Sequence, residues 1–368
     1  MSADLVLVAN AGDSTVTTYE LTTEGTPHSH PHPRLRHLAT SPVGKGCSTF
    51  VIDEATNLVY AGAKAGATGA FSSGRVGMDE PGIDTFSLDH GSGALTPAPG
   101  IERRTTEGSV AYLCLTPERT ILAGALYHQG SAHTWSLDGT GAVGPSIGRV
   151  EWSHAHCVAV TDHHLYVVSL GEDCVAQYAL AATGHLTALD PPTAPAPEGS
   201  GPRHLVLDHD ASHAYVVTEF SGEVLTFGRD DRTGRLTAEG AQTAYATDRG
   251  LAHSRLGADP RADHLIWGAD VHLARDDSIL LASERTESTL SAHPVTRAGV
   301  VGPAASLLHT PTQPRGFAVS TNGRYAVVAG ERASHLTLVA VGEDGSLRTV
   351  QEIATGAGSN WVRTLPRA

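Results

Sequence analysis

The sequence predicts an all-β protein: a seven-bladed β-propeller of four-stranded antiparallel blades, one domain over residues 1–368, with one blade closed jointly by the N- and C-terminal strands. Three observations predict it: a strand–turn–strand unit that repeats, chain ends that complement each other, and a composition suited to short strands. Glycine (40) and proline (20) are plentiful and charged residues make up 17% of the chain. That favours short strands joined by tight turns over long helices. At 40% hydrophobic residues the chain can bury a large core, which argues against disorder. Length alone would suggest two or three domains, so the repeats decide the architecture.

The unit is a small cluster, an apolar run, a turn and a second apolar run. GPRHLVLDHDASHAYVVTEFSGEVLTF (201–227) shows it: HLVL is one strand, AYVV the next, and EVLTF a third after the Ser-Gly turn. QPRGFAVSTNGRYAVVAGERASHLTLVAV (313–341) repeats it with Asn-Gly at its first turn, a dipeptide that supplies the positive φ angles of a tight hairpin. Further copies cover 46–62, 108–137, 153–180 and 267–295. Their starts lie near Cys47, Val110, His154, Arg203, Asp270 and Arg315. GSNWVRTLPRA (358–368) reads as a first strand with nothing after it, and LVLVANAGDSTVTTYEL (5–21) as a second and third strand with nothing before them. Joined, they make a seventh blade and remove the free sheet edges of an open array. The competing reading, a β-sandwich or two β domains, explains neither the repeats nor the complementary ends. The Pro-rich stretch 191–200 reads as an inter-blade loop, and 241–266 as an insertion.

A formal charge of −14 makes nucleic acid a poor partner. The chain has only two lysines, Lys45 and Lys64, so a pocket for a small anion is expected to use arginine, whose planar fork suits carboxylate and phosphate. Cys47, Cys114, Cys157 and Cys174 form no metal-binding spacing. No apolar run has the length of a signal peptide core or a membrane span. These features lead to the expectation of a cytoplasmic protein with reduced thiols, no membrane association, and a monomeric or weakly homodimeric state. The His28, His30 and His32 run could bind a metal adventitiously, but a Pro-interrupted loop is a poor preorganised site.

Propeller topology turns linear positions into a site. The first strand of each blade lines the channel and the antiparallel second strand returns, so the start of strand one and the end of strand two share a face. His154, Arg203, Asp270, Arg315 and Trp361 start first strands, and Glu219 ends the second strand of the Arg203 unit. Two arginines at one mouth form an anion site. Glu219 beside arginine stays ionised, and His154 is a natural proton shuttle. Each residue also has a structural reading. Arg203 and Glu219 could simply pair, His154 could hold the backbone, Asp270 and His272 could cap a turn, and Trp361 could pack.

The segments GPRHLVLDHDASHAYVVTEFSGEV, WGADVHLARDDSILLASERTES and TQPRGFAVSTNGRYAVVAGERASHLTLVAV, with weaker SHAHCVAV and GSNWV, resemble the bacterial seven-bladed propeller lactonases of the 6-phosphogluconolactonase type. These are relatives of 3-carboxy-cis,cis-muconate lactonising enzyme. The resemblance is specific from about residue 150 onward. It departs at Ser153, where proline is usual, and at Gly268, where alanine is expected. It implies a metal-independent site without a cofactor, with His154, Arg203, Glu219 and Arg315 as catalytic residues. His156 is a second histidine candidate, and Asp270, His272, Arg285 and Trp361 are candidates for substrate binding.

The expected activity is hydrolysis of an anionic sugar lactone. Arg203 and Arg315 would hold the anion or polarise the carbonyl, and Glu219 or His154 would act as general base. A further arginine, Arg249, Arg255 or Arg285, would meet a phosphate. The alternatives are a muconate-type cycloisomerase, a non-catalytic propeller binding module, and a calcium-dependent lactonase of another propeller family.

Overall fold

In the computed structural model, which describes residues 3–23, 33–66 and 77–367, the N-terminal apolar run is shared between two neighbouring sheets. Leu5, Leu7 and Ala9 pack into one buried cluster with Phe50, Val59 and Phe86. Val6 and Val8 face the other way, into a cluster with Val327, Leu336 and Val362. A strand covered on both faces reads as a near-continuous apolar run, which is why LVLV lacks polar alternation. The same division recurs around the molecule and produces seven clusters, one at each junction between successive sheets.

There are seven sheets, each an antiparallel meander, and the strand named first for each blade below is the innermost. Blade 1 is composite: Ser359–Pro366, Ala3–Asn10, Thr15–Thr22 and Arg34–Pro42. Blade 2 is Phe50–Asp53, Leu58–Ala63, Gly82–Leu88 and Leu95–Pro97, with Arg104–Thr105 pairing beside Gly82–Leu88. Blade 3 begins with Tyr112–Leu115 and Ile121–Leu126, blade 4 with Ala155–Val160 and His164–Ser169, and blade 5 with Pro202–Leu207 and His213–Thr218. Blade 6 begins with Gly268–Ala274 and Ile279–Glu284, and blade 7 with Pro314–Val319 and Tyr325–Gly330. The innermost strand of each blade contacts that of the next all the way round, and Pro314–Val319 meets Ser359–Pro366 to close the ring. The described residues contain no α-helix, only a 3-10 turn at Thr247–Arg249.

Neighbouring blades are also tied by a repeated hydrogen bond. Tyr60, Tyr166 and Tyr215, each on a second strand, donate their hydroxyls to the carbonyls of Gly141, Gly234 and Gly299 in the next blade. Those three glycines have φ of 85°, 71° and 76°, turn conformations that a side chain would strain. The composite blade is fastened to blade 2 by Trp361, whose buried Nε1 donates to the Phe50 carbonyl at 2.9 Å. Trp361→Phe leaves that carbonyl unpaired. It is expected to cost about 1–3 kcal/mol, read as a lower urea midpoint at unchanged slope.

The stretch expected to be an inter-blade loop is partly strand. Leu186–Pro195 forms the outer strand of blade 4, pairing Ala194 with Val175 and Pro195 with Cys174. Proline is tolerated there because an edge strand has one side free of ladder bonds. The insertion at 241–266 carries the 3-10 turn and one isolated bridge, Ala252 to Leu265. The His28, His30 and His32 run lies outside the described residues.

Candidate active site

One mouth of the channel opens on a cavity of about 330 Å³. Its wall is built from the two kinds of position that the topology singles out. His156, Arg203 and Arg315 are each the second residue of an innermost strand. Lys64, Tyr127, Glu219 and Arg285 each follow the last residue of a second strand. Ser48, Ser109, His128, His204, Trp267 and Trp361 complete most of the wall.

The centre of the site is a mostly buried carboxylate between guanidiniums. Arg203, 1% exposed, donates from Nε to Glu219 Oε2 at 2.9 Å. Arg285 Nη2 lies 2.8 Å from the same oxygen. Trp267 Nε1 donates to Glu219 Oε1 at 3.3 Å, and the Arg285 guanidinium stacks over the Trp267 ring at 4.0 Å. Backbone bonds pin the acid: Glu219 N–H donates to Gly201 O, and its carbonyl accepts from Gly268 N–H at 3.0 Å. A Cβ on Gly268 would stand 2.1 Å from the Thr218 carbonyl, which explains glycine where alanine was expected. Arg315, about one-third exposed, stands on the same wall, 4.0 Å from Glu331.

Electrostatics follow from burial in this set. Burial alone raises the Glu219 carboxyl, but Arg285 and Arg203 outweigh it and the net shift is downward. Arg203 is pushed down to about 9 by burial, with Arg285 and Arg315 adding to it, so it remains charged at neutral pH. His156 is held well below the ordinary histidine range, first by burial and then by Arg203, His204, Arg315 and Arg285. Its Nδ1 is buried without a hydrogen-bond partner. It is therefore a neutral imidazole at the cavity wall, packed edge-on against Tyr127 and tilted against His204.

Beneath the cavity a second polar layer fixes Arg203. Its Nη1 donates to the Ala269 carbonyl and to His204 Nε2, the latter at 3.1 Å. His204 Nδ1 donates to Asp270 Oδ1 at 2.7 Å. Burial and Arg203 push His204 down to about 3, so the ring is neutral and its tautomer is set by Asp270. Asp270 also accepts from the Val271 and Phe317 amides and from His272 Nε2. Burial opposes its ionisation, but His272 and His204 hold its carboxyl well below the usual range. The four cysteines are free thiols, and burial raises Cys47, Cys157 and Cys174 to about 12. None of those three is a nucleophile at neutral pH.

Of the residues expected from sequence, Arg203, Glu219, Arg285, Arg315, His156 and Trp361 meet at this cavity. His154 is not in its wall. It occupies a turn at φ 53°, with Nδ1 2.9 Å from Ser153 Oγ and its ring against Tyr127. Asp270 lies below the cavity, and His272 faces a second cavity at the opposite end of the channel. Arg249 and Arg255 are exposed and away from both. Sequence reading missed His204, Trp267, Tyr127 and Lys64. The last two occupy the same position after a second strand as Glu219, which was the available signal.

Comparison with known proteins gives a consistent picture. The family model "Lactonase, 7-bladed beta-propeller" matches residues 29–364. A 6-phosphogluconolactonase from Sodalis glossinidius is 29% identical over 303 residues, covering 79% of this chain and 81% of the relative. A protein from Lactobacillus plantarum superposes with TM-score 0.82 at 21% identity, covering 99% of this chain and all of its own. The periplasmic gluconolactonase of Pseudomonas aeruginosa gives 0.78 at 22%, covering 100% of both chains. At these identities the two structures speak to the fold.

Proposed function

Because the chain belongs to the seven-bladed β-propeller lactonase family, we propose that the cavity of Arg203, Glu219, Arg285, Arg315 and His156 hydrolyses an anionic sugar lactone of the 6-phosphogluconolactone kind. The observation that carries this reading is a buried guanidinium array beside an unpartnered neutral imidazole. The array offers preplaced donors to a carbonyl oxygen that becomes negative in the transition state. The imidazole lines the cavity with Nδ1 closed off from solvent, so the lone pair it would offer to a water is that of Nε2. A binding platform would instead present a broad apolar face. Among the described residues the exposed large hydrophobics are only Leu256, Val300 and Leu307.

In this mechanism the lactone carbonyl points at the free edges of Arg203 and Arg315. His156 takes a proton from water as the water oxygen bonds to the carbonyl carbon. The tetrahedral oxyanion forms against the guanidiniums. It collapses by breaking the ring C–O bond, and the imidazolium returns its proton to the leaving alkoxide. The products are a carboxylate and a hydroxyl on one opened chain, with one water consumed and a proton released. Glu219 keeps the two buried guanidiniums charged and aligned, and Asp270 through His204 orients Arg203.

Purified protein is expected to consume 6-phosphoglucono-δ-lactone, measured as acid release above the spontaneous rate, and to keep that activity in EDTA. Loss of the diene absorbance of a carboxymuconate without lactone consumption would replace this reading with cycloisomerisation. Complete loss in EDTA, restored by calcium, would end the metal-independent mechanism.

A further inference from the structure

The lactone-hydrolysing wall lies on blades 4, 5, 6 and 7. In a seven-fold ring the opposite side is blade 2, and there the cavity wall carries Lys64 with Ser48, joined by Ser109 at the entry to blade 3. The chain has 25 cationic side chains, and its only two lysines, Lys45 and Lys64, stand together at this place. Lys64 N–H donates to the Lys45 carbonyl at 2.8 Å. Each lysine side chain lies beside a glycine: a Cβ on Gly46 would meet Lys64 Cδ at 3.0 Å, and one on Gly66 would meet Lys45 Nζ at 2.8 Å and Cδ at 3.0 Å. Gly46 and Gly66 have φ of 59° and 111°, conformations that favour glycine, and the missing Cβ at each leaves room for the lysine chain beside it. Thirty-nine carboxylates are present in the chain. Yet among the described residues neither ammonium has an ion pair.

Resting on the lactonase reading above, we propose that Lys64, supported by Lys45, is the phosphate subsite that makes this cavity select a lactone phosphorylated at the end remote from its carbonyl. The two ends of such a substrate need different chemistry. The carbonyl needs directional donors in a dry setting, which the buried arginines supply. The phosphate carries close to two negative charges and tolerates exposure. An ammonium is a compact point charge suited to it, and the hydroxyls of Ser48 and Ser109 on the same wall are added donors. The cavity thus has a buried pole for reaction and a wetter pole for recognition.

The test is the ratio of kcat/KM for 6-phosphoglucono-δ-lactone over glucono-δ-lactone, in wild type and in Lys64→Met, Lys64→Arg and the Lys45→Met/Lys64→Met double variant. The ratio is expected to fall about 10- to 100-fold in Lys64→Met, the size of a lost hydrogen bond to a charged group. The fall should appear mainly in KM, deepen in the double variant and be largely restored by Lys64→Arg. A ratio equal to wild type in the double variant overturns the phosphate subsite while leaving lactone hydrolysis intact. Wild-type protein inert toward both lactones overturns the lactonase reading itself, and the subsite with it.

Discussion

His156→Asn is expected to lower kcat about 10²- to 10⁴-fold, the usual contribution of a positioned acid–base group, with a much smaller change in KM. The physical reason lies in the field around the ring. Burial, with three guanidiniums adding to it, holds His156 neutral well below the ordinary histidine range. The acid limb of kcat/KM should therefore fall well below that of an exposed histidine. A bound anion cancels part of the positive field, and a weaker field raises the imidazole pKa. The acid limb of kcat should then lie at higher pH than that of kcat/KM. Arg315→Ala, which removes one of the depressing charges, should move the free-protein limb upward as well. His154→Asn provides the contrast, because that ring is outside the cavity wall. If His154→Asn, and not His156→Asn, abolishes turnover, the general base has been misassigned.

The architecture was legible because a propeller writes itself into sequence as a period. Every blade buries both faces of its inner three strands, so the apolar runs are strong, and the composite blade follows from two incomplete ends. The site was legible to the extent that one rule holds: the start of strand one and the end of strand two share a mouth. Arg203, Arg315 and Glu219 obey it. His154 was preferred over His156 because strand starts cannot be read to within two residues. The chain makes a turn at His154, with Ala155 N–H donating to Trp152 O, and the strand begins only at Ala155. Asp270 starts the right strand, but it is the third residue of Gly268–Ala274, one past the position that His156, Arg203 and Arg315 occupy in theirs, and it is bonded to His204 below the cavity. His204 itself was hidden inside HLVL, which reads as plain strand. Lys64 and Tyr127 were hidden because blades 2 and 3 carry no familiar motif, although they obey the rule.

Glu219→Gln separates two roles that sequence alone left joined. As a general base, this carboxylate would have to take up a proton during turnover. Its surroundings oppose that, because Arg285 and Arg203 hold it ionised despite burial. As a clamp, it is, among the described residues, the one carboxylate in a wall that contains three guanidiniums. Replacing it with glutamine leaves Arg203 and Arg285 buried and uncompensated, which typically costs about 3–5 kcal/mol. It also removes the charge that raises the Arg203 pKa. The clamp therefore predicts three linked effects. The urea midpoint falls, and kcat/KM falls about 10²- to 10³-fold as the oxyanion donors lose alignment. Inorganic phosphate becomes a tighter competitive inhibitor, because the cavity has gained a net positive charge. A general base shares the loss of stability and the tighter phosphate binding, because the same ion pairs are removed, but it adds loss of turnover together with the acid limb of the pH profile. The acid limb decides between them: a limb kept in Glu219→Gln with reduced kcat/KM marks a clamp, and a limb lost together with turnover marks a base.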